Sequence, residues 1–184
     1  MLRYLDVQNI LDKNDLVLQE SGCVGSENER GNTYMKKIGI VTDSHSSISQ
    51  EEAEKLGIFV LPMPFYIDGE CYYESVTLSR KMFFEKLTSG ADITTSQPSP
   101  TAVMEIWDKS LEPFEKILDM PISRGLSGSY ETAMMLAKDE AYEGRVLVVD
   151  DGQVAAPLHQ MVLDTLDMIE KGYEAEQIRD LLER

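Results

Sequence analysis

Four short, uninterrupted apolar runs punctuate the chain, and polar loops close each of them. Ile38-Gly39-Ile40-Val41 reads as a strand buried on both faces, followed by the polar stretch Thr42-Asp43-Ser44-His45-Ser46-Ser47. Ser49-Gln50-Glu51-Glu52 is a capping-box pattern, with Ser49 as cap and Glu52 at the third helical position. The helix it opens runs to Lys55 or Leu56, and Gly57 stops it. Ile58-Phe59-Val60-Leu61 is the second strand, ended by Pro62 and Pro64. A strand, a helix and a strand within about 25 residues make a βαβ unit with parallel pairing.

The pattern then changes. Phe65-Tyr66-Ile67, Asp68-Gly69 and Cys71-Tyr72-Tyr73 predict a β-hairpin. Ser79 caps a helix through Phe83, Phe84 and Leu87 that ends near Gly90. Residues 94–100, Thr-Thr-Ser-Gln-Pro-Ser-Pro, read as a polar loop, in which Ser99 caps the next helix and Pro100 occupies its first turn. That helix carries Val103, Ile106, Trp107 and Leu111, and Pro113 ends it. Residues 117–122 read as a strand that contains an awkward Pro121. Ser123-Arg124-Gly125-Leu126-Ser127-Gly128-Ser129 opens a helix through Ala133, Met134 and Ala137. Val146-Leu147-Val148-Val149 is a further buried strand, closed by Asp150-Asp151-Gly152. Helices from about Val154 to Lys171 and from about Glu174 complete the order, which is that of an α/β domain with a parallel sheet flanked by helices. Residues 1–34 lack this patterning and are rich in turn residues from about position 20, so they are expected to be a flexible leader. The folded body is expected to begin at Met35, followed by Lys36-Lys37.

Composition narrows the functional classes. The 184 residues carry a formal net charge of −16, which disfavours binding to phosphate backbones, so no nucleic-acid partner is expected. No stretch approaches the roughly 20 apolar residues of a membrane helix, and no membrane span is expected. Cys23 and Cys71 are the only cysteines and lie far apart in sequence, which suits a reduced, cytoplasmic protein. With His45 and His159 as the only histidines, no zinc site of the usual type, no metal and no cofactor are expected.

In a parallel sheet, ligands bind beyond the carboxyl ends of the strands. Three hydroxyl-rich loops fall at or near those ends: Thr42-Asp43-Ser44, Thr94-Thr95-Ser96, and Ser123 to Ser129. Free N–H groups and hydroxyl donors there suit an anion, and Arg124 is the single cation among them. That balance fits a carboxylate better than a polyphosphate. The same residues also serve as ordinary caps and turns, and both roles stay open at this level. Asp43, Asp150 and Asp151 could hold a metal or act as structural caps. Met104, Met120, Met134, Met135, Met161 and Met168 suit a core and would also suit a pliable apolar ligand. Phe59, Phe65, Tyr66, Tyr72 and Tyr73 suit either a core and hairpin face or the wall of an apolar tunnel.

Taken in order, Ile40-Val41-Thr42-Asp43-Ser44, Thr95-Ser96-Gln97-Pro98-Ser99-Pro100, Ile122-Ser123-x-x-Leu126-Ser127-Gly128-Ser129-Tyr130 and Val148-Val149-Asp150 resemble the DegV family of bacterial fatty-acid-binding proteins. The likeness extends over about Met35 to Arg184. It implies an α/β first domain, with the family's second domain mostly absent from this chain. It also implies a non-enzymatic protein that binds a long-chain fatty acid and presents its carboxylate to a separate fatty acid kinase. Thr95, Ser96, Ser127 and Gly128 are the ligand-binding candidates the resemblance implies, with Ser44 a lesser one. A chain of this extent is expected to bind the acid weakly. A small α/β transferase or hydrolase acting on an anionic metabolite, with Asp43 or Asp150 as base or metal ligand, is the alternative. A folded remnant without a ligand is a third.

Overall fold

The computed structural model describes residues 36–73 and 76–184. The expected leader at 1–34 and the start at Met35 lie outside the described residues. Four parallel strands form the main sheet in the order β2-β1-β6-β7, where β1 is Lys36–Asp43, β2 Phe59–Leu61, β6 Phe114–Met120 and β7 Val146–Val148. The long central pair aligns Ile38 with Lys116 and Thr42 with Met120.

Side chains alternate between the two faces of each strand, so each face collects its own core. On one side Ile38, Ile40, Val60, Leu118, Met120 and Leu147 pack against helices α1 (Gln50–Leu56), α5 (Ala156–Glu170) and α6 (Ala175–Leu182). On the other, Val41, Phe59, Leu61, Ile117, Val146 and Val148 pack against α3 (Pro100–Ser110) and α4 (Ser129–Leu136). Trp107 of α3 is fully buried there and meets Tyr142 edge-on, with ring centroids 5.1 Å apart. The result is a parallel sheet flanked by helices, as the apolar runs predict.

Caps set the helix starts. Ser49, Ser79 and Ser99 each accept the backbone N–H three residues on, at 3.1, 3.3 and 3.2 Å. The expected capping box at Ser49 forms by this half alone, and Glu52 instead reaches His159 Nε2 at 3.1 Å. Pro121 falls just past the end of β6, where it interrupts no ladder bond. Met120 is core, whereas Met134 and Met135 are exposed, which corrects their expected burial.

A second, antiparallel sheet sits between β2 and α3 in sequence. Strands β3 (Pro64–Ile67) and β4 (Glu70–Tyr73) form the expected hairpin. Asp68 and Gly69 both have positive φ, at 51° and 83°, as a tight two-residue turn requires. A third strand, β5 (Ile93–Thr95), adds to the other edge of β3. Thr94 and Thr95 read as loop from the sequence, because their partners Tyr66 and Phe65 lie nearly thirty residues away. Helix α2 (Arg80–Thr88) crosses between these strands.

Candidate functional site

All four parallel strands point their carboxyl ends to one edge, and the 3₁₀ turn Ser44–Ser46 begins there directly after β1. Asp43, 3% exposed, organises that edge. Its Oδ1 accepts the N–H of His45 at 2.9 Å, its Oδ2 accepts the N–H of Ile122 at 2.8 Å, and its carbonyl accepts the Ser46 hydroxyl at 2.7 Å. One carboxylate thus ties the exit of β1 to the exit of β6. Asp150 pairs with Arg124 at 2.8 Å, and Asp151 accepts the N–H of Gln153 at 2.9 Å. All three aspartates expected here as caps or metal ligands are therefore engaged in holding loops.

Beside this edge opens a cavity of about 240 Å³. Ser44 and His45 come from the 3₁₀ turn, and Met63, Pro64 and Phe65 from the connection into β3. Leu78, Phe83 and Phe84 come from α2 and its approach, and Ile93 and Thr95 from β5. The walls are largely apolar, with the hydroxyls of Ser44 and Thr95 and the imidazole of His45 as the polar groups. Ser44 Oγ accepts the N–H of Met63 at 3.1 Å, which fixes the oxygen and leaves its O–H to donate. The edge-on pair Phe65–Phe83, centroids 5.6 Å apart, joins the small sheet to α2 along the wall.

Of the five expected ligand residues, the structure brings Ser44 and Thr95 into this cavity. Ser96 follows directly, exposed, with its N–H donated to Pro64 O at 3.2 Å and its hydroxyl to Gln97 O at 3.1 Å. Ser127 and Gly128 do not line the cavity. They sit at the start of α4, where Ser127 Oγ lies 2.8 Å from Ser129 Oγ and Gly128 occupies the N-cap position. Gln97 connects the two loops: its Nε2 reaches Thr132 Oγ1 at 3.4 Å, and a β-carbon on Gly128 would stand 2.9 Å from its Oε1.

Among the aromatic residues considered for a tunnel, Phe65 lines the cavity. Phe59 belongs to the core beneath α3, and Tyr66, Tyr72 and Tyr73 lie outside the lining. The sequence reading passed over His45, Met63, Leu78, Phe83, Phe84 and Ile93 as site residues. The one signal for them was the apolar pair Phe83-Phe84 on a short helix bounded by polar residues.

Behind the edge, Asp119 at the end of β6 is 6% exposed. Its pKa is pushed up to about 7, first by burial and then by the charge of Asp43. The adjacent Trp107 indole pulls the other way, but its N–H reaches no acceptor in good hydrogen-bond geometry, so this opposing pull is weak.

The fold recurs in known proteins. The model of a family described as uncharacterised DegV proteins matches residues 37–184. The chain belongs to the DegV family. A DegV domain-containing protein of Caldanaerobacter subterraneus subsp. tengcongensis is 33% identical over 144 residues, covering 78% of this chain and 51% of that protein. A DegV domain-containing 15.5 kDa protein of Staphylococcus aureus is 28% identical over 135 residues, covering 73% of this chain and 95% of that one. Among solved structures, a DegV family protein from Thermus thermophilus, described for its fatty acid binding, superposes with a TM-score of 0.72 at 33% identity. The match covers 80% of this chain and 52% of that one. A Thermotoga maritima protein whose structure is described as revealing a fatty acid binding function gives 0.68 at 25% identity, covering 81% and 54%. The chain thus spans about half the length of most of the DegV relatives it matches. No helix among the described residues is long and apolar enough to cross a membrane.

Proposed function

We propose that this DegV-family chain binds a long-chain fatty acid with its carboxylate at the carboxyl edge of the parallel sheet, and that it presents this carboxylate to a separate fatty acid kinase. The observation that carries the reading is the cavity itself: apolar walls from Phe65, Leu78, Phe83, Phe84 and Ile93, with Ser44 and Thr95 hydroxyls among them. An amphiphile with one anionic end and a saturated tail matches that division. Ser44 and Thr95 donate to the carboxylate, and Ser96 joins them by turning its hydroxyl away from Gln97 O. Ser127 and Gly128 lie outside the cavity lining at the start of α4, and Gln97 links their loop to the one that carries Thr95 and Ser96. The head group then lies near the surface, where a kinase carrying ATP can reach it, and ATP-dependent transfer places both proteins in the cytoplasm.

Magnitudes set the expected affinity. At about 30 Å³ per water-sized group, 240 Å³ takes roughly eight methylenes, half of a sixteen-carbon chain. Eight buried methylenes contribute about 6 kcal/mol before the losses of association are taken off. Six kcal/mol alone corresponds to a Kd of about 40 μM, and the losses of association weaken it further, so binding in the high micromolar range or weaker follows. The test is native mass spectrometry with titration of a fluorescent fatty acid. One added acyl mass and saturable binding are expected; the absence of both would refute the reading. Acyl-phosphate formation that needs kinase, ATP and this chain together tests the presentation step.

A further inference from the structure

We propose that a small second cavity, between α3, α4 and the end of β6, binds one ordered water molecule, held by the Trp107 indole N–H, the Asp119 carboxyl and the Ser129 hydroxyl. This site is separate from the apolar cavity and does not depend on the fatty-acid reading. It has a volume of about 20 Å³, and its lining includes Thr42, Asp43, Trp107, Asp119, Ser129 and Ala133. One water needs about 10–15 Å³ and two to four polar partners, so the space takes a single water and no larger ligand.

Some of the polar groups around this cavity are already engaged. Thr42 Oγ1 donates to Met120 O at 2.7 Å, and the two Asp43 oxygens accept the N–H groups of His45 and Ile122. Trp107 differs: its side chain is fully buried, and its Nε1 has no hydrogen-bond partner among the described residues. A buried donor left so is costly, and nearly all such donors in proteins pair with protein or with ordered water. The indole is near enough to Asp119 to draw that carboxyl's pKa down, yet the two make no direct bond in good geometry. A water between them accepts from Nε1 and donates to an Asp119 oxygen, and this works whether or not the carboxyl is protonated. Its second hydrogen goes to Ser129 Oγ, which is buried on the same cavity and lies 2.8 Å from Ser127 Oγ. The Ser129 O–H is then left for Ser127, and the Ser127 O–H is left to donate outward at the start of α4. The water thereby ties the buried end of β6 to the second hydroxyl loop.

Trp107 is the single tryptophan, so its indole proton gives one unambiguous NMR signal. In the isotope-labelled full chain that proton should show nuclear and rotating-frame Overhauser peaks to water of opposite sign, the mark of a molecule held far longer than surface water. Ala133→Val adds two methyl groups at the cavity wall and should abolish both peaks, with a thermal melt as the check of folding. A high-resolution crystal structure of wild type should place a water within hydrogen-bond distance of Trp107 Nε1, an Asp119 oxygen and Ser129 Oγ; if the valine variant does not fold, this structure decides alone. No water at the indole, or an indole bonded directly to Asp119, overturns the proposal. So do Overhauser peaks that survive in folded Ala133→Val, since they would come from exchanging hydroxyl protons. A water that bonds Trp107 and Asp119 but not Ser129 overturns the tie to the loop.

Discussion

Replacing Asp119 by Asn should stabilise the protein at neutral and alkaline pH and change little in acid. Asp119 is buried at the end of β6 with the charge of Asp43 nearby, and together these raise its pKa from 3.8 to about 7. The folded chain therefore holds this proton over a range where the unfolded chain has already lost it. Unfolding stability falls wherever the folded state binds more protons, so it declines as pH rises from about 4 to about 7. Below that window both states are protonated and no penalty exists. Above it both are ionised and the full penalty stands. About three pH units at about 1.4 kcal/mol each give a loss on the order of 4 kcal/mol, an upper figure because buried sites relax. Asn keeps the shape but does not titrate. Urea unfolding followed by the fluorescence of Trp107, the single tryptophan, measures the difference at each pH. The gap in favour of Asp119→Asn should open between pH 4 and 7 and stay level beyond. A gap independent of pH, or one that widens toward acid, would refute the argument.

Three further outcomes are expected. Ser96→Ala should weaken binding of a fluorescent fatty acid by about 0.5–1.5 kcal/mol, while the exposed position leaves urea unfolding within about 0.5 kcal/mol of wild type; unchanged affinity would remove Ser96 from the site. Phe83→Ala should weaken acyl binding by about 1 kcal/mol through loss of apolar wall, with the shorter acids least affected, as titration across chain lengths would show. Gly39→Ala should destabilise the fold by about 1–3 kcal/mol in urea unfolding, because the new methyl would stand 2.6 Å from the Phe114 ring on the neighbouring strand.

The helices and the parallel sheet were legible because their signals are local. Ser49, Ser79 and Ser99 announce helix starts through bonds that span three residues, and each cap forms as read. The buried strands show as short apolar runs because both of their faces are covered. Strand β5 was not legible, since Thr94 and Thr95 become strand only by pairing with Tyr66 and Phe65 across a long excursion of chain. The start of β6 was missed for a related reason. Glu115 and Lys116 lie more exposed near the amino end of the sheet, so the apolar run begins late. At the site, hydroxyl-rich loops pointed to Ser44 and Thr95. The apolar half of the cavity is assembled from α2, β3 and β5, three elements that meet only in the fold.

The division of labour between the two sheets explains why the site lies where it does. Asp43 fixes Ser44 and His45 to the parallel sheet, through a carboxylate that also holds the exit of β6. Thr95 and Ser96 belong instead to the antiparallel sheet, which Ser96 joins through its bond to Pro64. The two groups of polar donors therefore stand on separate frameworks, and the cavity is the seam between them. Met63 bridges the frameworks: its N–H bonds Ser44 Oγ just before β3 begins. A ligand carboxylate that accepts from Ser44 on one side and Thr95 on the other would add a second tie across the seam. Its tail would fill the apolar space that the Phe65–Phe83 pair only partly closes. On this arrangement the head group and the tail are not independent contributions. The hydroxyls hold the two frameworks at the separation that the tail needs, and the tail supplies most of the free energy that keeps the hydroxyls facing one another.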